Sequence, residues 1–188
     1  AAEPPGLAGK QALMEIAKGS GGRIIADVGI HAEYTSGPTL CREAAEFAKA
    51  NNLRIHLHLS ETKKEHEEAK TRRGMTAAAW FESLGVFDVP VNAAHCVWVE
   101  PGDIEILAKH GAAALHCPSS NRKLGSGTAP LAELRNAGVR GTSGTDGAAS
   151  NNNRKGLEEV NLAVLGQKGT RQDPLVISMA EAVEMARR

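Results

Sequence analysis

The chain has 188 residues, 41% of them hydrophobic, which is enough for one sizeable core. Its 22 basic and 22 acidic residues balance, so charge gives no reason to expect a nucleic acid or a membrane surface as a partner. It shows no 18-residue apolar run and no signal peptide, and we expect a cytoplasmic protein without a membrane span. An odd number of cysteines without framework spacing (Cys41, Cys96 and Cys117) predicts reduced, packed thiols.

Hydrophobic periodicity predicts a regular succession of strands and helices. The predicted strands are, in chain order, 23–31, 53–61, 91–97, 112–118 and 139–146. The predicted helices are 7–17, 40–50, 62–70, 75–84, 101–109, 129–137, 157–165 and 179–188. Ser178 and Glu181 have the spacing of a capping box at the start of the last helix.

Residues 53–61 form the clearest strand, because aliphatic and polar side chains alternate strictly along them. One face carries only aliphatic side chains and should pack against helices. The other face carries His56 and His58, and Glu61 follows three residues after His58. This polar face is therefore the first candidate for a functional site.

Every predicted strand ends in or near a residue that can bind a metal or move a proton. These residues are His31, His58, His95, His116 and Asp146. Strands that alternate with helices predict an α/β fold with a parallel sheet, and a (β/α)8 TIM barrel places its active site at the carboxyl ends of its strands. An open doubly wound sheet is the rival, but no glycine-rich phosphate loop follows the first strand.

Five strands fall short of eight, and the helical pattern continues to the last residue. We therefore interpret residues 1–188 as the C-terminal part of a single metal-dependent hydrolase barrel. This part would hold about the fourth to the eighth strand and the C-terminal helices.

The pair His58 and Glu61 is a weak motif alone, and His95 and Asp146 at later strand ends strengthen it. Imidazole and carboxylate together suit zinc or another borderline divalent ion, with Fe²⁺ and Mn²⁺ less favoured. A carboxylate beside such an ion can also shuttle protons.

The other histidines leave alternatives open. His56 could bind the same metal as His58, or lie one layer deeper in the barrel, which we favour. His116 either supports the site residues from behind or forms a pocket wall. We expect His110 to interact with the C-terminal dipole of its helix and His66 to be a solvated surface residue.

Five segments resemble the amidohydrolase superfamily, and most closely its 5-methylthioadenosine/S-adenosylhomocysteine deaminases. In the family's order they are His31-Ala-Glu-Tyr-Thr, His56-Leu-His-Leu-Ser-Glu-Thr, Ala94-His-Cys-Val-Trp, His116-Cys-Pro-Ser-Ser-Asn-Arg-Lys-Leu-Gly-Ser-Gly and Gly144-Thr-Asp-Gly-Ala-Ala-Ser-Asn-Asn. The resemblance runs from about residue 22 to residue 188 and implies zinc-dependent hydrolytic deamination of an adenine ring, with release of ammonia. The implied partner is a small purine nucleoside thioether, and a homo-oligomer is open.

The resemblance also implies a role for each matching residue. His58 resembles the zinc-binding histidine of the fifth strand, and Asp146 the eighth-strand aspartate that binds zinc and accepts a proton. Glu61 resembles the glutamate that handles the proton and touches the purine, and His95 resembles the histidine that polarises the attacking hydroxide or the developing tetrahedral centre. Substrate contacts are implied for His31, Glu61 and Asp146.

Three departures from the family pattern accompany this resemblance. Nothing before Leu53 can supply the family's first-strand His-x-His, which provides two zinc ligands. The family's substrate-binding glutamate and arginine on earlier elements are also missing, and Glu33 stands where the family usually has proline. A deaminase of guanine or another aminated heterocycle, a triazine chlorohydrolase and an inactive fragment therefore remain as alternatives.

Overall fold

Strands and helices alternate along the chain in a computed structural model that describes residues 5–187, with side chains from residue 12. Within this range the strands are β1 (Asp27–Gly29), β2 (Arg54–Leu59), β3 (Val91–His95), β4 (Ala113–His116) and β5 (Arg140–Ser143). The first helices are α1 (Pro5–Gly19), α2 (Pro38–Ala50), α3 (Lys63–Arg73), α4 (Ala77–Ser83) and α5 (Pro101–Lys109). The later helices are α6 (Pro118–Lys123), α7 (Leu131–Asn136), α8 (Gly156–Arg171) and α9 (Met179–Arg187).

The strands form one parallel sheet in the order β1-β2-β3-β4-β5, so neighbours in the chain are neighbours in space. At least one helix lies between each pair of consecutive strands. All carboxyl ends therefore lie along the same edge of the sheet, which confirms the predicted parallel α/β arrangement.

The two faces of β2 differ as the alternation predicts. Ile55 pairs with Val91 and Leu57 pairs with Ala93, and all four side chains are buried in the hydrophobic core with the helices. His56 lies on the opposite face of β2 and is half-buried. The core therefore lies between the sheet and the helices, and the histidines point away from it.

Local signals fix several helix ends. Thr62 caps α3 in a capping box with Glu65, and Gly74 ends that helix with a left-handed φ of 71°. The capping box of Ser178 and Glu181 is confirmed, because the Ser178 hydroxyl accepts from the Glu181 amide at 3.2 Å and the Ser178 amide donates to the Glu181 carboxylate at 2.7 Å.

Two sequence predictions need correction. The first strand spans only Asp27–Gly29, because Ile24 and Ile25 before it are exposed and outside the sheet. The expectation of a solvated His66 was wrong: its side chain is 3% exposed, with Nδ1 3.3 Å from Ser60 Oγ and Nε2 3.0 Å from Glu100 Oε1. These contacts bury one face of the otherwise charged helix α3.

The free cysteines are buried, as expected for packed thiols. Burial raises the pKa of Cys41 to about 11 and the pKa of Cys117 to about 12, and it raises the pKa of Cys96 further still. Each thiol is therefore protonated and unreactive at neutral pH.

A bilayer-crossing helix is not found within residues 5–187, where none of the helices combines sufficient length with sufficient apolar character. The cytoplasmic location stays a prediction.

Candidate active site

Left-handed backbone conformations mark the carboxyl ends of three strands. Ser60 after β2 has a φ of 47°, His95 and Cys96 at the end of β3 have φ of 72° and 47°, and Asp146 after β5 has a φ of 59°. Each such residue other than glycine costs roughly 1–3 kcal/mol, and this kind of strain concentrates at functional sites. The strained positions coincide with the predicted site.

The His58 ring is oriented by the loop that follows β1. Its Nδ1 lies 2.8 Å from the carbonyl oxygen of His31, and a carbonyl oxygen can only accept a hydrogen bond. Nδ1 therefore carries the proton, and the lone pair of Nε2 is free to bind a metal. The His31 ring lies beside it, with 5.0 Å between ring centroids, and its own Nδ1 lies 2.6 Å from Thr35 Oγ1.

The His95 ring stacks on His58, with centroids 5.3 Å apart and planes 17° from parallel. In the sheet register His95 pairs with Leu59, whose side chain is in the hydrophobic core. The left-handed φ of 72° at His95 breaks the strand alternation and brings its ring to the side of His58.

Glu61 joins this group from the loop after β2. Its Oε2 lies 3.8 Å from His95 Nε2, and its Oε1 accepts a hydrogen bond of 3.3 Å from Ser126 Oγ. The side chain keeps 21% of its surface exposed, so it is held in place and still open to a ligand.

Asp146 accepts three hydrogen bonds. Ser120 Oγ donates at 2.5 Å and Ser150 Oγ at 2.8 Å to Oδ2, and the Gly147 amide donates at 2.6 Å to Oδ1. Burial acts to raise the pKa of Asp146, but these hydrogen bonds and the nearby His95 outweigh it, so the pKa lies below its usual value. The carboxylate is therefore ionised at neutral pH.

The predicted site residues thus come together at one edge of the sheet. Measured contacts link His31 to His58, His58 to His95, and His95 to Glu61. Asp146 is linked to His95 through helix α6, where Ser120 Oγ donates to Asp146 and Asn121 Oδ1 lies 2.9 Å from His95 Nδ1.

Two further histidines lie near this group. The His56 ring is 6.4 Å from the His58 ring between centroids, two residues earlier on the same face of β2. Burial first, and then the charge of His58, lower the pKa of His56. His116 is buried, its Nδ1 has no hydrogen-bond partner among the described residues, and burial lowers its pKa to about 4.

Sequence reasoning missed helix α6 and the side chains that it brings to the site. Ser120 bonds Asp146, and Asn121 Oδ1 lies 2.9 Å from His95 Nδ1. The run Cys-Pro-Ser-Ser-Asn after β4 contains a usable signal, since proline is favoured in the first turn of a helix. The six residues of α6 are too few to show a helical period.

A complete metal centre is not formed within the described range: residues 5–187 contain no group of three or more His, Cys, Asp or Glu placed to hold a metal ion. His58 and Asp146 together offer one imidazole nitrogen and carboxylate oxygens. These donors fit zinc, which binds such nitrogen and oxygen ligands.

Comparison with known proteins gives a consistent picture. Residues 8–186 match the model of the amidohydrolase family. A 5-methylthioadenosine/S-adenosylhomocysteine deaminase of Pelotomaculum thermopropionicum is 45% identical over 168 residues, which cover 89% of this chain and 39% of the relative. A 5'-deoxyadenosine deaminase of Methanothermobacter thermautotrophicus is 41% identical over 87% of this chain and 38% of the relative.

Solved structures agree with this match. An adenosine deaminase from Xanthomonas campestris with bound zinc superposes with a TM-score of 0.88 at 28% identity, over 95% of this chain and 40% of that protein. An atrazine chlorohydrolase from Arthrobacter aurescens, in complex with zinc, gives a TM-score of 0.81 at 25% identity over 94% of this chain and 40% of that protein. The chain thus spans about two fifths of the length of the relatives that it matches.

Proposed function

Because this chain belongs to the amidohydrolase family and shares that family's α/β barrel fold, we propose that the full-length protein hydrolytically deaminates the adenine ring of 5'-thioether nucleosides. S-adenosylhomocysteine and 5'-methylthioadenosine are the proposed substrates, in line with the relatives named as their deaminases. The observation that carries the proposal is the linked group His58, His95 and Glu61 beside an ionised Asp146.

The donor set of the site supports a divalent metal, with zinc favoured because two similar structures contain it. His58 Nε2 and the Asp146 carboxylate are the proposed ligands from this chain. A catalytic zinc takes three protein ligands, so the proposal requires at least one more from outside residues 5–187. When bound, zinc would supply a Lewis acid that lowers the pKa of a water molecule toward neutrality.

Two residues of this chain, Asp146 and Glu61, are the proposed proton acceptor and proton donor. Asp146 is ionised and can accept the proton that the attacking water loses. Glu61 can pass a proton to a ring nitrogen of the purine, while His95, whose Nε2 lies 3.8 Å from Glu61 Oε2, polarises the attacking water. His31, on the loop that orients His58, is the proposed substrate contact. Water adds at C6, the proton held by Asp146 passes to the amino group, which leaves as ammonia, and the hydroxyl proton returns to Glu61 as the ring becomes hypoxanthine.

The experiment is a substrate panel with the purified full-length protein loaded with zinc. S-adenosylhomocysteine, 5'-methylthioadenosine, 5'-deoxyadenosine, guanine and atrazine are compared by the ultraviolet change of the ring and by released ammonia or chloride. We expect the adenine thioethers to give the highest kcat/KM. Turnover confined to guanine or atrazine would contradict the proposed substrate class, and no turnover of any compound would favour the inactive alternative.

A further inference from the structure

Helix α6 and the loop after it touch three of the proposed active-site residues. Ser120 Oγ donates to Asp146 Oδ2 at 2.5 Å, Asn121 Oδ1 lies 2.9 Å from His95 Nδ1, and Ser126 Oγ donates to Glu61 Oε1 at 3.3 Å. The three active-site residues lie at the ends of different strands or just after them, whereas the side chains that support them come from seven consecutive residues. This segment, residues 120–126, is called the support segment below.

Asn121 is the best-fixed member of the support segment. It is fully buried. Its backbone amide donates to the Cys117 carbonyl oxygen at 2.9 Å, and its backbone carbonyl oxygen accepts from the Ser126 amide at 2.7 Å. The second bond closes the loop that carries Ser126. Its side chain therefore presents Oδ1 to His95 from a backbone that is held on both sides.

The contact sets the protonation pattern of the His95 ring. An amide oxygen accepts hydrogen bonds and cannot donate them, so Nδ1 of His95 carries the proton. In the neutral ring, Nε2 then has a free lone pair, and this is the nitrogen that lies 3.8 Å from Glu61 Oε2. In this tautomer Nε2 can accept a hydrogen bond from a protonated Glu61 or from the attacking water.

We infer that Asn121 is a positioning residue that fixes the orientation and tautomer of His95, and that Ser120 and Ser126 position Asp146 and Glu61 from the same segment. The role in catalysis rests on the proposed function. The tautomer of His95 does not, because it depends only on the Asn121 amide oxygen facing Nδ1, an orientation that leaves Asn121 Nδ2 without a partner among the described residues.

The kinetic test compares Asn121→Leu, Asn121→Asp and Ser119→Ala in the full-length, zinc-loaded protein. Leucine has a similar volume but cannot accept, so we expect kcat to fall about a hundredfold, the scale of a misplaced catalytic group, with KM changed less than about threefold. Asn121→Asp keeps an acceptor facing His95 Nδ1, so its kcat should be at least about tenfold higher than that of Asn121→Leu. Ser119 lies on the same helix, and it is its backbone amide that donates to Glu159 Oε2. Ser119→Ala keeps this bond and should therefore keep the wild-type kcat.

The second readout is independent of turnover. ¹⁵N-histidine spectra of the wild type, with the His95 signal assigned by its loss in His95→Gln, should show the tautomer protonated at Nδ1. Asn121→Leu should convert it to a mixture of tautomers. A wild-type ring protonated at Nε2, or an Asn121→Leu protein with normal kcat, would overturn the inference, even in a protein that deaminates as proposed. If Asn121→Leu does not fold, the wild-type spectrum and the kcat of Asn121→Asp, expected within about tenfold of wild type, still decide.

Discussion

The ring of His95 lies against His58 because its backbone has a left-handed φ of 72° at the end of β3. An extended residue at this register position would face the core with Leu59. The free energy cost of this conformation is offset locally, since the ring gains a hydrogen bond to Asn121 and contact with His58. The site thus depends on backbone angles at single residues, which the strand pattern does not reveal.

Glu61 is the residue whose substitution tests the proposed proton transfer most directly. In the full-length protein, Glu61→Gln should lower kcat at least about a hundredfold, the usual contribution of acid–base catalysis. Zinc content should be largely kept, because Glu61 is not a proposed ligand. Asp146→Asn is the matched comparison, and it should lose both turnover and zinc affinity. Steady-state kinetics and metal analysis give both readouts, and near-normal deamination by Glu61→Gln would refute its role.

His116 makes the stability of the protein depend on pH. Burial lowers its pKa to about 4 in the folded chain, against an ordinary value of 6.5. Between these two values the unfolded state binds a proton that the folded state excludes, so the free energy of unfolding falls as the pH falls from about 6.5 to 4. The loss should be roughly 3 kcal/mol from this group.

The measurement is urea denaturation of wild type and His116→Gln at several pH values between 7 and 4. All other titrating groups are shared, so the difference between the two slopes reports His116. We expect the wild type to lose more stability than the variant as the pH falls. Parallel curves would show that His116 is not buried as a neutral ring.

Site residues at the ends of strands could be predicted, whereas buried polar side chains on short or highly charged helices could not. His58 and Glu61 were found because the alternation of β2 is strict and its end is clear. His66 was placed wrongly because its neighbours are charged, and only the tertiary contacts with Ser60 and Glu100 bury it. Asn121 lies on a helix of six residues, where no period exists to be read.

At the level of elements, the loop after β1 is fastened to helix α3 by a buried carboxylate. Glu33 is fully buried, with Oε2 2.6 Å from Arg72 Nη2 and Oε1 2.6 Å from Arg73 Nε. Burial raises the pKa of Glu33, but the hydrogen bonds and charges of the two arginines outweigh it and lower the pKa overall. The Arg73 guanidinium also lies 4.3 Å above the Trp80 ring. The loop that carries His31 is thereby anchored.

Replacing Glu33 should therefore loosen this anchor. Glu33→Ala removes the buried carboxylate from Arg73 and leaves Arg72 with its more exposed partner Glu68, and we expect a loss of roughly 2 kcal/mol in the free energy of unfolding. This is less than the 3–5 kcal/mol of a fully buried pair, because both guanidinium groups are partly exposed. Urea denaturation measures the loss, and Glu46→Ala on the exposed side of α2 is the control. Equal stability of both variants would show that the ion pair is not formed.

Gly127 holds the end of the support segment against the loop after β3. Its φ is 124°, and an added Cβ would lie 2.9 Å from Val97 Cγ1 and 3.6 Å from Trp98 Nε1. Gly127→Ala should therefore cost roughly 2–3 kcal/mol in the free energy of unfolding, from backbone strain and overlap.

Gly102→Ala is the matched control for this change. Gly102 lies in the first turn of α5, and a Cβ there meets no atom within 4 Å. Alanine should leave its stability unchanged or raise it by up to about 1 kcal/mol. Thermal unfolding of the two variants separates the effects, and equal midpoints would show that the loops do not pack as described.

Most elements were predicted with the correct type, but the short helix α6 and several element ends were not. The span 101–109 matches α5, and 40–50 lies within α2. Helix α8 runs to Arg171, whereas the predicted helix ended at residue 165. The prediction ended too early because Gly166 and Gly169 interrupt the apolar pattern. Strand β1 has three residues because only this stretch pairs with β2, and pairing partners are not visible in a single segment.

For the whole molecule, the sheet of the described residues has two edges, since β1 pairs only with β2 and β5 only with β4. A closed barrel of eight strands has no such edges. The apolar side chains of Ile24 and Ile25 lie exposed just before β1. The alternation of strands and helices predicts a parallel sheet of the barrel type. Closure of the barrel depends on strand pairs that the described residues do not form with one another.

These edges predict how residues 1–188 behave apart from the full-length protein. Unpaired strand edges and exposed isoleucines favour association between chains. We expect the isolated chain to bind a hydrophobic dye and to sediment as a concentration-dependent oligomer, with less than one zinc per chain because His58 and Asp146 are too few ligands. The full-length protein should show weaker dye binding and retain zinc.

Ile25→Lys in the isolated chain tests the cause of this association. A charge beside the β1 edge should shift sedimentation toward the monomer, whereas Leu157→Lys, on the exposed surface of α8, should change it little. If the isolated chain is a monomer that binds one zinc tightly and does not bind the dye, its edges are satisfied internally and the ligand set is larger than His58 and Asp146. That outcome would contradict both the open sheet and the requirement for an additional ligand from elsewhere.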